Sequence, residues 1–185
     1  MSIIESVKTI VKESMQASTT HDWGHIERVF TLASMIGEKE EADLEIVKLG
    51  ALLHDIGRIV GEPHNITGKI KAREILSNLS YDEKKIDIIE KIIENHNLET
   101  WSNLGSIEEK IVWDSDKLDG LGAIGIARAF FMRGETGYAF HDFSWFDEDT
   151  KLRFTRLNTE TAKEIGNDRF GFMQSFFERL KEETR

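Results

Sequence analysis

Apolar residues recur along most of this chain at the three- and four-residue spacing that is typical of amphipathic helices. One stripe covers residues 3 to 16, and a second begins at Ile26 and ends at Gly37. Further helices are predicted over residues 41–55, 66–79, 82–95, 106–130 and, as one or two closing helices, 150–184. No strand-like alternation, internal repeat or domain linker is evident. The pattern therefore predicts an all-α fold in a single domain spanning 1–185.

Local signals refine this outline. Ser80 with Glu83 and Ser106 with Glu109 match the capping box, in which a serine and a glutamate satisfy the first N–H groups of a helix. The glycines inside the 106–130 segment are expected to allow close approach between helices. They are Gly120, Gly122 and Gly125.

The helical pattern breaks between residues 132 and 149, where a loop rich in aromatic side chains is predicted. These side chains could stack a nucleobase, or they could be buried in the core or against a partner subunit, and the sequence leaves this open. They are Tyr138, Phe140, Phe143, Trp145 and Phe146. The same loop contains the pair His141–Asp142, which no partner motif accompanies, so we assign it no chemistry.

Composition excludes several classes of protein. A formal net charge of −10 argues against binding to duplex nucleic acid, although local cations could still attract a small phosphorylated substrate. The chain has no cysteine, which excludes disulfides, zinc–thiolate sites and a cysteine nucleophile. Neither a signal peptide nor a membrane-spanning segment is evident, so we expect a cytoplasmic protein without membrane contact.

The candidate chemistry is centred on His54 and Asp55, which end an apolar helical run. We expect Gly57 to adopt the left-handed conformation that closes a helix, so that both side chains reach one ion. His25 lies at the start of another helix and Asp116 lies within the 106–130 segment. A helical bundle can bring such positions together. Two nitrogens and two carboxylates would leave about two positions on a six-coordinate ion for water and a phosphate oxygen.

The order of these four residues resembles the HD superfamily of metal-dependent phosphohydrolases. Segments 18–29 and 114–128 are similar to the small stand-alone bacterial members, and the resemblance covers about residues 15–135. It implies an all-α HD-domain bundle and a divalent metal ion, commonly manganese, iron, nickel, cobalt or magnesium. The implied ligands are His25, His54, Asp55 and Asp116. Superfamily members with two metals carry two further histidines in the interval before the last aspartate, which here would be His64 and His96.

The resemblance also suggests roles for other residues. Asp55 or Asp119 could orient the attacking water, and three cations could contact phosphate. The cations are Arg28, Arg58 and Lys117. Glu62 is interpreted as a solvated surface residue.

The leading hypothesis is a metal-dependent phosphohydrolase that acts on a small phosphorylated compound, foremost a nucleotide. The motifs leave open whether it is a nucleotidase, a triphosphate pyrophosphohydrolase or a cyclic-nucleotide phosphodiesterase. One alternative is a diiron HD-type oxygenase, which would require His64 and His96 as ligands. Another is a nucleotide-binding protein without turnover. The sequence leaves a homodimer open.

Overall fold

The computed structural model describes residues 2–15, 22–97, 99–136 and 144–184, and within them every regular element is helical. The predicted all-α class is therefore confirmed. Across these ranges, no helix combines the length and the apolar character that crossing a bilayer requires. The helices are α1 (Ile3–Ser14), α2 (Trp23–Lys39), α3 (Leu44–Leu53), α4 (His64–Asn78), α5 (Glu83–Asn95), α6 (Ile107–Asp119), α7 (Gly122–Thr136), α8 (Ser144–Thr155) and α9 (Glu160–Glu183), with short 3-10 turns at Ile56–Ile59 and Trp101–Asn103.

The chain forms two compact units, Met1–Ser115 and Asp116–Arg185. The first contains α1 to α5 and most of α6, and the second contains the end of α6 and α7 to α9. The boundaries 1–185 that we predicted for one domain stay a prediction.

Helix α3 lies at the centre of the first unit, where it packs against α1, α2 and α5. Seven of its ten residues are buried. Gly50 faces α5 and α6 so closely that a Cβ there would lie 3.0 Å from Ile92 and 3.3 Å from Val112. Because α3 is enclosed on these sides, the residues that follow it, His54 and Asp55, lie in the interior, with 0% and 2% of their surface exposed.

The segment 106–130 is two helices rather than one, since α6 ends at Asp119 and α7 starts at Gly122. Gly122 has a φ of 74°, which disfavours other residues, and a Cβ on Gly125 would overlap the carbonyl of Gly120. These glycines do permit close approach, as predicted. At Gly125 the approach is between α7 and the turn that follows α6, whereas a Cβ on Gly122 would lie 3.1 Å from the Arg169 side chain of α9.

Helix starts agree with the predicted capping boxes in one of two cases. Glu109 N–H donates to Ser106 Oγ and Ser106 N–H donates to Glu109 Oε1, both at 3.2 Å, which confirms that box. The box at Ser80 and Glu83 is wrong. Asp82 caps α5 by accepting from Lys85 N–H at 3.0 Å, while Ser80 has a φ of 56° in the preceding turn.

The loop predicted between residues 132 and 149 is shorter than expected, because α7 continues to Thr136 and α8 begins at Ser144. Residues 137–143 lie outside the described part of the chain, and they include the pair His141–Asp142 and three of the five aromatic residues. The other two, Trp145 and Phe146, belong to α8.

Candidate metal centre

Four histidines from separate elements of the first unit converge on the carboxylate of Asp55. His25 lies in the first turn of α2, where Asp22 caps the helix by accepting from His25 N–H at 3.0 Å. His54 follows α3, His64 begins α4 and His96 follows α5. The sequence placed these histidines at helix ends, and the structure shows that the ends meet at one buried point.

The two oxygens of Asp55 face different pairs of histidines. Oδ2 lies 3.7 Å from Nε2 of both His25 and His54. Oδ1 lies 3.7 Å from His64 Nε2 and 3.4 Å from His96 Nε2. One carboxylate therefore lies between two pairs of imidazole nitrogens, all of which are atoms that can bind a divalent metal ion.

Hydrogen bonds on the far side of three imidazole rings indicate their tautomers. Nδ1 of His54 lies 2.8 Å from the Ala51 carbonyl, and Nδ1 of His96 lies 2.6 Å from the Ile93 carbonyl. Nδ1 of His64 lies 2.9 Å from Oε2 of Glu62. Since these oxygens only accept, each Nδ1 carries the proton and each Nε2 keeps its lone pair for a metal.

Three atoms of the centre are buried without a hydrogen-bond partner among the described residues: Asp55 Oδ1, His64 Nε2 and His96 Nε2. Leaving a buried acceptor unsatisfied costs about 1–3 kcal/mol. All three are acceptor atoms of metal-ligand type, so a divalent cation would satisfy them together. The side chains present thus fit a metal ion at this position.

The His25 and His54 side chains fit a second position. Their Nε2 atoms lie 3.3 Å apart. When two nitrogens bind the same ion, each at about 2.1 Å, they lie about 3.0–3.4 Å from each other. This pair therefore has the spacing of two ligands of one ion.

The charge on Asp55 is favoured by its surroundings. Burial opposes ionisation, but the positive charge that His54 and His96 can carry when no metal is bound, together with that of Arg58, outweighs it and holds the pKa of this carboxyl well below its usual value. A carboxylate that stays ionised while buried is ready to bind a cation without first losing a proton.

Arg58 connects this centre with solvent. Its Nε lies 2.8 Å from Asp55 Oδ1, although the two atoms are not aligned for a hydrogen bond, and its side chain is 29% exposed. Nη1 lies 3.9 Å from Oε1 of Glu62. The guanidinium thus has one edge against the buried carboxylate and another near the surface.

The second unit carries three more of the predicted site residues. Asp116 Oδ2 lies 2.5 Å from Lys117 Nζ, and Asp119 Oδ2 lies 2.5 Å from Arg128 Nη1. Lys117 and Asp119 are buried. The sequence assigned Arg128 no role, and the structure makes it the ion-pair partner of Asp119. The ligand role of Asp116 and the roles of Lys117 and Asp119 stay predictions.

The last two residues singled out in the sequence are Arg28 and Glu62. Arg28 is half-buried on α2, and its contact with phosphate stays a prediction. Glu62 is exposed, as predicted, but it also holds His64, which the sequence analysis missed. The sequence shows only an acid two residues before a histidine, a spacing that does not by itself indicate a contact.

An all-helical fold with a buried histidine–aspartate centre that fits divalent ions defines a metal-binding helical domain. The chain belongs to the HD domain family, which matches residues 22–121.

Relatives of known structure extend the match over nearly the whole chain. YpgQ of Bacillus subtilis is 33% identical over 193 aligned residues, covering 97% of this chain and 92% of YpgQ. Its crystal structure in complex with ADP superposes with a TM-score of 0.81 and covers 97% of this chain and 94% of that one.

Two other structures are described as HD-superfamily hydrolases. One, from Bacillus thuringiensis, is 31% identical with a TM-score of 0.81 and covers 97% of this chain and 95% of its own. The other, from an uncultured Thermotogales bacterium, is 28% identical with a TM-score of 0.75 and covers 98% and 92%. The resemblance to this superfamily is thereby confirmed.

Proposed function

We propose that this protein is a metal-dependent phosphohydrolase that acts on a nucleotide and uses a two-ion centre. The observation that carries the proposal is the position of Asp55, whose two oxygens face two separate histidine pairs in the interior of the first unit. Two divalent ions that share a carboxylate are a recurring arrangement in enzymes that hydrolyse phosphate compounds.

The ligand assignment follows from this position. His25, His54 and Asp55 would hold the first ion, with Asp116 as a fourth ligand on the strength of the sequence motif. Asp55, His64 and His96 would hold the second. Bound divalent ions supply Lewis acidity toward a phosphoryl group and activate water.

The surrounding side chains would bind and orient the substrate. Arg58 is held at one edge by Asp55, which leaves the outer N–H groups of its guanidinium for phosphate oxygens, a geometry that suits bidentate contact. Lys117, and Arg28 on α2, are further candidate cations for the same charge. The depressed pKa of Asp55 favours its ionised form, so Asp55 would act as a metal ligand and a hydrogen-bond acceptor rather than as an acid.

Asp119 remains the candidate for orienting the attacking water. Its carboxylate accepts a hydrogen bond from Arg128, which fixes the position of the side chain.

A nucleotide is the proposed substrate class because YpgQ, 33% identical to this chain, was crystallised with ADP. The net charge of −10 gives no general attraction for polyanions, so phosphate recognition would rest on the few cations named above.

The test is turnover of a nucleotide panel by metal-free protein that has been reconstituted with Mn²⁺. Nucleoside mono-, di- and triphosphates would be followed by chromatography and ³¹P NMR, which distinguish release of phosphate from release of pyrophosphate. We expect metal-dependent hydrolysis that Asp55→Asn reduces at least about 100-fold, because the variant removes a charge shared by both ion positions.

Asp87→Asn is the matched control, since Asp87 pairs with Arg73 on the surface and is 64% exposed. It should keep wild-type turnover. Full metal loading without any phosphorus product from the panel would contradict the proposal and favour a nucleotide-binding protein without turnover.

A diiron oxygenase is the second candidate, because it requires His64 and His96 to be ligands and both face Asp55 Oδ1. Iron content and oxygen consumption discriminate the two. Two irons per chain with oxygen uptake and no phosphorus product would support the oxygenase.

A further inference from the structure

Glu62 holds His64 through both its backbone and its ring. Oε2 of Glu62 accepts from His64 N–H at 2.9 Å and from Nδ1–H at 2.9 Å, and Oε1 lies 3.2 Å from the same Nδ1. The Glu62 side chain is 71% exposed, while that of His64 is 11% exposed. A surface carboxylate thus fixes the ring of a buried histidine from the solvent side.

The rings of His54 and His96 are held differently. Nδ1 of His54 and Nδ1 of His96 each donate to the carbonyl three residues earlier in the chain, an acceptor that belongs to the backbone. For these two histidines no side-chain substitution removes the acceptor. His64 lies at the first position of α4 and has no preceding helical turn to supply a carbonyl.

We infer that Glu62 is a positioning residue that fixes the tautomer and orientation of His64 and thereby sets the affinity of the second ion. The inference rests on the two-ion centre of the proposed function. A carboxylate on the far nitrogen of a metal-binding imidazole orients the ring and increases its basicity.

Other contacts hold the backbone around His64 independently of Glu62. Asn65 Nδ2 donates to the Glu94 carbonyl at 3.0 Å, which joins the start of α4 to the end of α5. Thr67 Oγ1 donates to the Gly61 carbonyl at 2.7 Å. Loss of the Glu62 carboxylate should therefore release the ring of His64 while α4 stays in place.

The experiment measures Mn²⁺ binding to metal-free protein, with free Mn²⁺ followed by its EPR signal. Wild type should bind two ions per chain. In Glu62→Ala the second ion should bind about 10- to 100-fold more weakly, while the first keeps its affinity. Glu62→Gln keeps an oxygen that can accept from both N–H groups but loses the charge, so its affinity should lie between those of wild type and the alanine variant.

Two controls separate positioning from a general loss of stability. Glu74→Ala removes an exposed acid that pairs with Lys71 on the same helix, and it should bind both ions normally. In a His64→Ala background, Glu62→Ala should cause no further loss of metal affinity, since the proposed link from Glu62 to the ion runs through the ring of His64. Thermal unfolding of the metal-free variants checks that the folded state persists at the assay temperature.

Three results would overturn the inference: wild type that binds at most one ion, a Glu62→Ala variant with unchanged affinity for both ions, or an equal loss at both positions. These outcomes are separable from a failure of the proposed function. Two ions bound with the expected Glu62 effect and no turnover would refute only the hydrolase. Turnover with a single ion would refute the second ion position and with it the role of Glu62, but not the hydrolase.

Discussion

Arg58 lies against the buried carboxylate of Asp55 and is itself partly exposed to solvent. The first prediction concerns this arginine. We expect Arg58→Gln to lower kcat/KM for a nucleotide by about 10- to 100-fold, because a charge-assisted hydrogen bond to phosphate contributes about 1.5–3 kcal/mol. The glutamine keeps most of the side-chain volume but neither the charge nor the guanidinium fork.

Steady-state kinetics with Mn²⁺-loaded enzyme measures this effect. Arg179→Gln is the control, because Arg179 is 71% exposed and forms ion pairs with Glu182 and Glu183 of its own helix. An Arg58→Gln variant with wild-type kcat/KM would remove Arg58 from the substrate site and leave it as a partner of Asp55.

Single residues also show where sequence reasoning stopped. His25, His54 and Asp55 could be predicted as ligands from the sequence, because motif order singles them out one by one. Glu62 could not, because its role depends on a hydrogen bond to His64 that exists only once α4 begins at that residue. An exposed acid and an exposed acid that holds a ligand look the same in the sequence.

At the scale of elements, Gly57 illustrates the same limit. Its place after the His–Asp pair suggested a left-handed helix cap, but its φ is not positive, and the glycine lies in the 3-10 turn Ile56–Ile59. A Cβ there would overlap the carbonyl of His64 and the backbone of Gly68. Glycine is needed because α4 packs directly on the turn. That contact brings His64 toward Asp55, and no local pattern predicts it.

The contact between α3 and α5 gives a prediction about pH. Glu45 near the start of α3 accepts from Lys85 Nζ at 2.9 Å and from Tyr81 O–H at 2.7 Å. These two hydrogen bonds lower the pKa of the Glu45 carboxyl, and the bond from Lys85 has the larger effect. The hydrogen bond between Lys85 and Glu45 also raises the pKa of Lys85. Because the folded-state pKa lies below the unfolded one, ionised Glu45 stabilises the fold above about pH 4.3.

That contribution is lost as the pH falls through the folded-state pKa. We therefore expect Glu45→Gln to be less stable than wild type at pH 7, with the difference shrinking between pH 4.5 and pH 3. Urea unfolding across this range measures it, with Glu74→Gln as an exposed control on α4. A difference that stays constant with pH would mean that packing, and not the charge of Glu45, joins these helices. The effect should be small, because Glu45 is 41% exposed and solvent screens the pair.

At the scale of the whole molecule, stability should depend on the ions. The first unit buries Asp55 and four histidines, and three of their acceptor atoms have no hydrogen-bond partner among the described residues. Without metal the Nε2 atoms of His64 and His96 oppose folding, because buried acceptors have lost their water. In the proposed metal-bound state the same atoms are ligands, and any ion that binds only the folded state stabilises it by mass action.

Saturation to 100 times the dissociation constant stabilises by about 2.7 kcal/mol per ion. For a chain of this length each kcal/mol raises Tm by about 2–4 °C. We therefore expect Mn²⁺ to raise Tm by about 5–10 °C over protein kept in EDTA, and by more when the second position fills. Differential scanning calorimetry at several Mn²⁺ concentrations measures the rise.

Asp55→Asn should show little of this rise, because it removes the carboxylate that both positions share. Its metal-free form should be less stable than metal-free wild type, because the amide loses the charge of the ion pair with Arg58 and leaves that cation without its buried partner. The effect of binding is therefore read within each variant, as the difference between its Tm with Mn²⁺ and its Tm with EDTA. If the Tm of wild type is the same with Mn²⁺ and with EDTA, Asp55 and the four histidines form a structural polar core. That result would contradict the proposal that they bind metal ions.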